Sequence, residues 1–412
     1  MTAVGSAIRS QDNGPASLQD MRRRNLALVL GAAAEHSPLS RADVAGRVGL
    51  TRAAVSSLVD ELIGRGALTE AAATASGRVG RPGRALTVSD HGPAGLGLEI
   101  GVTHLGACVA DLRGEPRVWR RVDQANAGRP AGQVLAEAAA LAAEAQAEAE
   151  ALGLRVEGRV LAVPGVVPNG PAGLVERAPN LGWCGVRLAD HWPDPETVPE
   201  PENEADLGAL AELWNAEPAE TFVHVSAEAG IGAALVIEGR LFRGARGFAG
   251  ELGHIPVHPD GPECVCGARG CLEQYAGQEA VLRAAGLVQP GAGGPAQPGA
   301  GDAVALLAER AAAGHAPTLA ALDRAGRALG LALTSAVQLV DPDGLVLGGA
   351  YAELADWLLP SVRAELAARV TVRPWDPEAL RPSGLGRRGP LLGAALTTVR
   401  RIMADPTLLP VG

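Results

Sequence analysis

Three cysteines and one histidine form the most chemically specific cluster in this sequence. The four residues are His254, Cys264, Cys266 and Cys271. One imidazole and three thiolates suit tetrahedral zinc, and four protein ligands leave no open position for a reacting molecule. Gly267 and Gly270 would let the chain turn tightly between ligands. The cluster therefore predicts a structural zinc site; the alternative is three reduced cysteines beside a surface histidine.

The composition predicts a globular protein of two or three domains. The chain has 412 residues, of which 47% are hydrophobic and 20% are charged. No apolar run approaches the roughly 20 residues that a membrane span needs, and the N-terminus lacks a signal-peptide core. We therefore expect a cytoplasmic protein with no membrane association, in which clustered cysteines favour metal over disulfides.

The first 90 residues have the pattern of three helices followed by a β-hairpin. The first helix is predicted at 18–36, and Ser40 with Asp43 forms a capping box for the second. Thr51 caps a third, which carries one apolar stripe: Val55, Leu58, Val59, Leu62 and Ile63. Strands at 67–69 and 85–88 flank a loop rich in glycine and arginine. This order predicts a winged helix-turn-helix, whose third helix would enter the major groove of DNA.

Exposed polar residues of this head are the candidate DNA contacts. They are Arg52, Ser56 and Ser57 on the third helix, and Arg78, Arg81 and Arg84 in the wing. The first 90 residues hold 11 arginines and 8 acidic residues, whereas the rest of the chain is strongly acidic. A basic head on an acidic body suits a protein that presents only its head to phosphates. The alternative is a small protein-protein module with a disordered arginine loop.

From Leu96 onward the sequence alternates between strand and helix patterns. Strands are predicted at 96–100, 106–111, 160–163, 222–226, 233–237 and 345–347. Helices are predicted near 131–152, 204–215, 302–313, 318–339, 351–369 and 390–403. The segment 287–301 has low complexity and is expected to be a mobile loop. The pattern is that of an α/β body.

The motifs of this body, taken in order, resemble those of the ROK family, which contains repressors, open reading frames and sugar kinases. They are EIGVT at 99–103, VPGVV at 163–167, APNLGW at 178–183, ENEAD at 202–206, AGIGAALVIEGRLFRGARGFAGELGH at 229–254 and CVCGARGCLE at 264–273. The head carries GRPGRAL at 80–86, as the family's regulators do. The resemblance covers essentially the whole chain and implies two actin-like (ribonuclease-H-like) α/β lobes with a ligand between them.

The resemblance also implies a domain organisation. A flexible tail at 1–17 would precede the head at 18–90. The first lobe would cover 91–202 and regain the helix near 390–403, and the second lobe would cover 203–389.

By the same resemblance, five residues are expected to bind sugar hydroxyls: Asn180, Asn203, Glu251, His254 and Glu273. Carboxylates and amides suit hydroxyls because they accept or donate hydrogen bonds in pairs. His254 could use one ring nitrogen for zinc and the other for the ligand. Taken alone, Glu251 and Glu273 would be solvated surface charges.

The phosphate and base positions depart from the pattern of the family's kinases. Glu99 replaces the first Asp of D-x-G-G-T, and Val102 replaces its second glycine. Glu228 stands at the opening of the second phosphate motif, where a carboxylate would repel ATP. The base position holds Glu204 instead of Asp, and base catalysis depends on close placement. Gly348-Gly349-Ala350 still resembles the adenosine motif.

These features together predict a DNA-binding regulator, a repressor of sugar-utilisation genes whose non-catalytic body senses a sugar. The alternatives are an ATP-dependent, glucokinase-like sugar kinase with a DNA-binding head, and a zinc-stabilised scaffold. Double-stranded operator DNA and a small sugar effector are the expected partners. A homodimer or homotetramer is also expected, because a palindromic operator needs at least two heads.

Overall fold

The computed structural model describes residues 17–71, 84–170, 172–215, 219–288 and 300–411, with the side chains of 300–302 excepted. The chain divides into two compact units. One contains the residues up to Pro93, together with Asp111–Arg113 and the segment from Val399 onward; the other contains Ala94–Ala110 and Gly114–Thr398. The predicted tail up to residue 16, Arg78 and Arg81 of the wing, and residues 289–299 of the predicted loop lie outside the described residues.

The N-terminal unit contains three helices and a hairpin in the predicted order. The elements are α1 (Leu18–His36), α2 (Arg41–Val48), α3 (Arg52–Gly64), β1 (Leu68–Ala71) and β2 (Ala85–Val88). Strands β1 and β2 are antiparallel, with Leu68 opposite Val88. Ser40 and Asp43 form the predicted capping box, and Gly49 ends α2 with φ of 71°. These short-range signals explain why the observed ends of the helices agree with the ends predicted from the sequence.

The core of this unit is formed by the apolar stripes of its helices. Val55, Leu58, Val59 and Leu62 of α3 are buried, as predicted, whereas Ile63 is only half-buried. The contribution of α1 to this core consists of Leu26, Val29, Leu30 and Ala33. The exposed side of α3 is thereby left to its polar residues.

The first lobe of the body is built on a five-stranded sheet with the order β5-β4-β3-β6-β9. Its elements are β3 (Gly92–Ile100), β4 (His104–Asp111), β5 (Pro116–Asp123), α4 (Ala131–Ala151), β6 (Leu154–Val163), β7 (Leu174–Ala178), β8 (Trp183–Arg187) and β9 (Glu200–Asn203). Strands β6 and β9 are parallel, and β7 and β8 form a separate antiparallel pair. The carboxyl ends of β6 and β9 lead directly to the candidate site.

The second lobe is built on another five-stranded sheet, with the order β12-β11-β10-β13-β14. Its elements are α5 (Glu204–Asn215), β10 (Phe222–Ala227), β11 (Ile231–Ile237), β12 (Arg240–Phe242), α6 (Glu273–Ala276), α7 (Gln278–Ala284), α8 (Ala300–Ala312), α9 (Ala316–Val340), β13 (Gly344–Gly349), α10 (Ala350–Glu353), α11 (Ala355–Arg369) and β14 (Leu380–Pro382). Helix α12 (Gly389–Ala404) follows. Both sheets are mixed, and with their helices they confirm the predicted two-lobed α/β body.

Glycines allow α12 to lie directly against the first sheet and against α5. A Cβ at Gly95 would come within 2.2 Å of the Ala395 carbonyl oxygen. A Cβ at Gly393 would come within 2.0 Å of the Leu207 carbonyl oxygen. Helices α5 and α12 therefore pack backbone to backbone, next to the buried Val160 and Ala162 of β6.

Several elements were not predicted from the sequence. Strands β5, β7, β8, β9, β12 and β14 and the short helices α6 and α7 are absent from the prediction. The helix predicted at 351–369 is divided at Leu354. Among the described residues, no helix combines the length and hydrophobicity that crossing a membrane requires.

Candidate functional site

A cavity of about 230 Å³ lies between the two lobes of the body. The first lobe contributes residues 164–166 and 177–180 and the end of β9. The second contributes residues 230–232 and the segment of the cysteine cluster. All five predicted sugar residues line this one cavity: Asn180, Asn203, Glu251, His254 and Glu273. The volume is below the roughly 300–1,000 Å³ of drug-sized sites and suits a small polar ligand.

Asn203 is held in place by both ends of its amide. Its Oδ1 accepts hydrogen bonds from the backbone N–H groups of Ala205 (2.8 Å) and Asp206 (3.2 Å), which begin α5. Its Nδ2 donates to the carbonyl oxygen of Gly165 at 2.7 Å. An amide nitrogen carries two N–H groups, so one donor is left for a ligand. Asn203 is therefore both a helix cap and a candidate hydroxyl contact.

The side chains of Glu273 and Asn180 both lie close to Gly230 of the second lobe. The Glu273 carboxylate accepts a hydrogen bond from the Ile231 N–H at 3.2 Å. A Cβ at Gly230 would lie 2.7 Å from Glu273 Oε2 and 3.2 Å from Asn180 Nδ2. Only glycine leaves room for both side chains at this wall.

His254 connects the cavity to the cysteine cluster through its two ring nitrogens. Nε2 lies 3.8 Å from a Glu251 carboxylate oxygen, and Nδ1 lies 3.7 Å from Cys264 Sγ. Burial raises the pKa of Glu251 above its usual range, although the nearby His254 opposes that shift. One ring nitrogen thus faces a predicted zinc ligand, and the other faces a carboxylate that lines the cavity.

The geometry of the cysteine cluster fits a four-coordinate metal ion. The ligand atoms of the four predicted residues all lie within 4.8 Å of one another, and Cys266 Sγ is 3.7 Å from Cys271 Sγ. A tetrahedral zinc with Zn–S bonds of about 2.3 Å would separate two sulfurs by about 3.8 Å. The donor set and its spacing are therefore compatible with a structural zinc site.

The predicted turns between the cysteines require glycine. Gly267 has φ of 90° and Gly270 has φ of 69°. A Cβ at Gly270 would also fall 1.6 Å from the His258 carbonyl oxygen. Both positions are in the left-handed region that favours glycine.

The sequence did not predict that Arg177 and Val265 would also line the cavity. Arg177 is the last residue before the APNLGW motif, and the bridge between Val166 and Arg177 fixes its backbone. Val265 is exposed between two predicted zinc ligands. The positions of Arg177 and Val265 at the cavity depend on contacts between segments that are distant in sequence, so local sequence patterns did not predict them.

Three carboxylates share the region that the kinase resemblance assigns to phosphates and to the base. Burial raises the pKa of Glu204 to about 8, and the carboxylates of Glu228 and Glu99 add to this shift. Burial also raises the pKa of Glu228 to about 7, with Arg387 opposing the shift and Glu99 adding to it. Their mutual effect indicates that the three acidic groups are near neighbours.

Charged side chains already surround Glu228. Arg387 Nε lies 3.4 Å from Glu228 and 3.1 Å from Glu353. In the same region, His104 Nε2 lies 3.4 Å from the buried Glu99. The region therefore already contains the ion pairs of Arg387 with Glu228 and Glu353.

Gly348 and Gly349, which belong to the segment that resembles the adenosine motif, pack against the sheet interior. A Cβ at Gly348 would lie 2.5 Å from the ring of the buried His224. A Cβ at Gly349 would lie 2.4 Å from the Ala227 carbonyl oxygen. Close packing alone therefore requires glycine at both positions.

In the N-terminal unit, the predicted DNA contacts on α3 and at Arg84 are exposed to different degrees. Arg52 and Ser57 are exposed, and Ser56 is half-buried. The Ser56 carbonyl oxygen accepts a hydrogen bond from Arg41 at 3.2 Å. Arg84 is paired with Glu70 at 3.5 Å, although the side chain of Arg84 is largely exposed. Arg52 has no ion-pair partner within the described part of the chain.

The ROK family model matches residues 95–400, which is most of the body. This chain belongs to the ROK family. Among its relatives, a xylose repressor from Bacillus subtilis (strain 168) is 28% identical over 378 residues, which are 90% of this chain and 94% of the repressor. That match includes residues outside the ROK model.

Two solved ROK structures have the same fold. A ROK family transcriptional regulator, described as a homologue of the E. coli MLC protein, covers 94% of this chain and 98% of its own, with a TM-score of 0.74 at 24% identity. A ROK glucokinase from Streptomyces griseus, in complex with glucose and AMPPNP, covers 74% of this chain and 98% of its own. It has a TM-score of 0.60 at 27% identity. The glucokinase therefore leaves about a quarter of this chain unmatched.

Proposed function

We propose that this chain is a DNA-binding transcriptional regulator, a repressor of sugar-utilisation genes, whose ROK body binds a sugar without phosphorylating it. The observation that carries this proposal is the share of this chain that a repressor matches, compared with the share that a kinase matches. A xylose repressor matches nine-tenths of this chain, whereas a ROK glucokinase matches about three-quarters of it. The N-terminal unit, a winged helix-turn-helix in this proposal, is what a kinase would not need.

The N-terminal unit would bind operator DNA through α3 and the wing. Arg52, Ser56 and Ser57 would face the major groove, and the arginines of the wing would contact the backbone or a narrow minor groove. Two or more heads are needed to read a palindrome, so a homodimer or homotetramer is proposed. The protein would then act in the cytoplasm, alongside its operator.

The cavity of the body would hold the effector. Asn180, Asn203, Glu251, His254 and Glu273 offer amide, carboxylate and imidazole groups to sugar hydroxyls. Zinc held by His254, Cys264, Cys266 and Cys271 would fix the fold of this segment, and its role would be structural. By holding Nδ1 of His254, the cluster would orient Nε2 towards the cavity.

A sugar kinase is the competing function, and the glucokinase match is the observation that favours it. The carboxylate of Glu228 opposes it, because phosphoryl transfer needs charge neutralisation around the phosphates. Val102 and the longer side chains of Glu99 and Glu204 also depart from the pattern of the kinases. Arg387 is paired with Glu228 and Glu353 and is not free to neutralise ATP.

The proposal is tested by a mobility shift with DNA from upstream of the protein's own gene, with and without D-xylose. The proposal predicts binding that changes with sugar. Absence of DNA binding, combined with ATP-dependent sugar phosphorylation, would support the kinase instead.

A further inference from the structure

The loop at residues 243–250 crosses from the second lobe to the first. It follows β12 and leads directly into Glu251 of the cavity. Asn169 of the first lobe donates a hydrogen bond through Nδ2 to the Gly244 carbonyl oxygen at 3.1 Å. The backbone N–H of Asn169 donates to the Arg246 carbonyl oxygen at 2.9 Å. These two bonds form one point of attachment between the lobes.

Arg243 forms a second point of attachment at the start of this loop. Its Nη1 donates to Glu202 Oε1 at 2.7 Å, and its Nη2 donates to Glu202 Oε2. Glu202 belongs to β9 of the first lobe, whereas Arg243 belongs to the second. Bidentate pairs of this kind combine strength with a fixed orientation. The two side chains are 28% and 15% exposed, so water screens the pair only partly.

The same carboxylate also holds the backbone of a cavity residue. Glu202 Oε1 accepts a hydrogen bond from the Asn203 N–H at 3.0 Å. Asn203 in turn caps α5 and supports Gly165 at the cavity wall. A continuous chain of hydrogen bonds therefore runs from Arg243 through Glu202 to Asn203.

Removal of the Arg243 charge would leave two acidic groups facing each other. Arg243 Nη1 also lies 3.7 Å from Asp206, which is buried at the start of α5. Burial raises the pKa of Asp206 to about 7, and Glu202 adds to this shift whereas Arg243 opposes it. Without the guanidinium, Asp206 would be protonated more readily, and the loop would lose its charged attachment to Glu202.

We propose that Arg243 is the charged half of an inter-lobe clasp, completed by Asn169, that closes the cavity and positions Asn203 within it. We call the hydrogen bonds of Arg243 with Glu202 and of Asn169 with the loop the 243–250 clasp. The clasp forms between residues of the protein alone and does not depend on a bound sugar. Its effect on sugar affinity rests on the proposed function, because it assumes that the cavity is the sugar site.

Hydrogen exchange of the full-length protein, without sugar, tests the clasp directly. In Arg243→Met, the amides of Ala205 and Asp206 and the distant amide of Asn169 should exchange at least tenfold faster. The Asn169 N–H donates to Arg246 and, among the described residues, forms no hydrogen bond with Arg243, so a defect confined to the Arg243 side chain would leave this amide unchanged. Arg243→Lys should recover part of the protection. Arg240→Met, at an exposed arginine of the preceding strand β12, is the matched control and should exchange as the wild type does.

Glu202→Gln keeps the experiment decisive if Arg243→Met fails to fold. It removes the charge partner but retains an amide of similar shape, and it should raise exchange at the same three amides. Unchanged exchange at Asn169 in the variants that fold would overturn the clasp.

D-Xylose binding measured by calorimetry adds the functional arm. Arg243→Met should bind D-xylose about tenfold more weakly than the wild type, and Arg240→Met should match the wild type. Equal affinity in all three proteins would refute the role of the clasp in positioning Asn203. Failure of the wild type to bind any sugar would count against the proposed function, while the exchange result would still decide the clasp.

Discussion

The guanidinium of Arg387 lies 3.4 Å from the carboxylate of Glu228, in the turn that follows β10. A carboxylate with its own cation stands where the kinase resemblance expects a glycine-rich phosphate loop. A carboxylate at this turn would work against the binding of ATP phosphates.

The protein should not phosphorylate sugars, and Glu228→Gly should not restore phosphorylation. Val102 and Glu204 would still occupy the other altered positions, and each acts on a different requirement of phosphoryl transfer. A coupled assay with ATP, magnesium and a panel of monosaccharides measures the rate. Turnover of the wild type on the order of 1 per second or faster, an ordinary kinase rate, would overturn the non-catalytic proposal.

Glu204→Gln should raise the melting temperature, and it should do so more at pH 8.5 than at pH 5. Burial raises the pKa of Glu204 in the folded state to about 8, from its usual value of 4.5. For an acid with a raised pKa, the folded state is penalised as pH rises from about 4.5 to about 8, and the penalty is complete above both values. A neutral amide avoids this penalty.

Thermal melts at several pH values measure the effect. The increase should be roughly 1–2 °C for each kcal/mol of penalty removed. Glu176→Gln, at an exposed carboxylate, should show no such pH-dependent difference. An increase that is the same at pH 5 and pH 8.5 would disprove the titration of Glu204.

Arg52→Ala should weaken operator binding by about 1–3 kcal/mol if its side chain reads a base. Arg52 is exposed on α3, and Thr51 caps the helix at that end. Gel-shift titrations with cognate and scrambled DNA separate base reading from phosphate contact. Arg81→Ala should weaken both DNAs more evenly.

Arg240→Ala removes an exposed arginine of the body and serves as the control for net charge. Its operator affinity should equal that of the wild type. If Arg52→Ala and Arg81→Ala also retain full affinity, the proposed mode of DNA binding is wrong.

Purified protein should contain about one zinc per chain, as a four-ligand structural site requires. Cys266→Ser should lose the metal and the response to sugar together, because His254 belongs to both the cluster and the cavity. Cys184→Ser, at an exposed cysteine outside the cluster, should keep both. Metal analysis that finds no zinc in protein prepared without chelator would contradict the assignment.

The elements that could be predicted from the sequence are those fixed by local chemistry. Ser40, Gly49 and Thr51 mark helix ends through caps that involve neighbouring residues only. The cysteine cluster could be predicted equally well, because its ligands are close in sequence and glycines stand between them. These glycines have positive φ in the structure. Such features need no knowledge of the tertiary structure.

The elements that escaped prediction depend on distant partners. Strand β5 carries Arg117, Arg120 and Arg121, and as an edge strand it lacks a clear apolar alternation. The pairing of Arg243 with Glu202 joins residues 41 positions apart on different lobes. Arg177 reaches the cavity only because β7 is held against Val166. No periodicity in the sequence encodes these contacts.

A sugar bound in the body is expected to change DNA binding by the head. The most direct measurement is an operator titration of the wild type and of Glu251→Ala, each with and without saturating sugar from a panel that includes D-xylose. Glu251 lines the cavity and is not one of the four predicted zinc ligands, so its loss should spare the fold. At least one sugar should change the operator affinity of the wild type by tenfold or more, a coupling of about 1.4 kcal/mol. Glu251→Ala should bind the operator, but its affinity should not respond to sugar. An operator affinity of the wild type that no sugar alters, or an equal response in Glu251→Ala, would contradict this expectation.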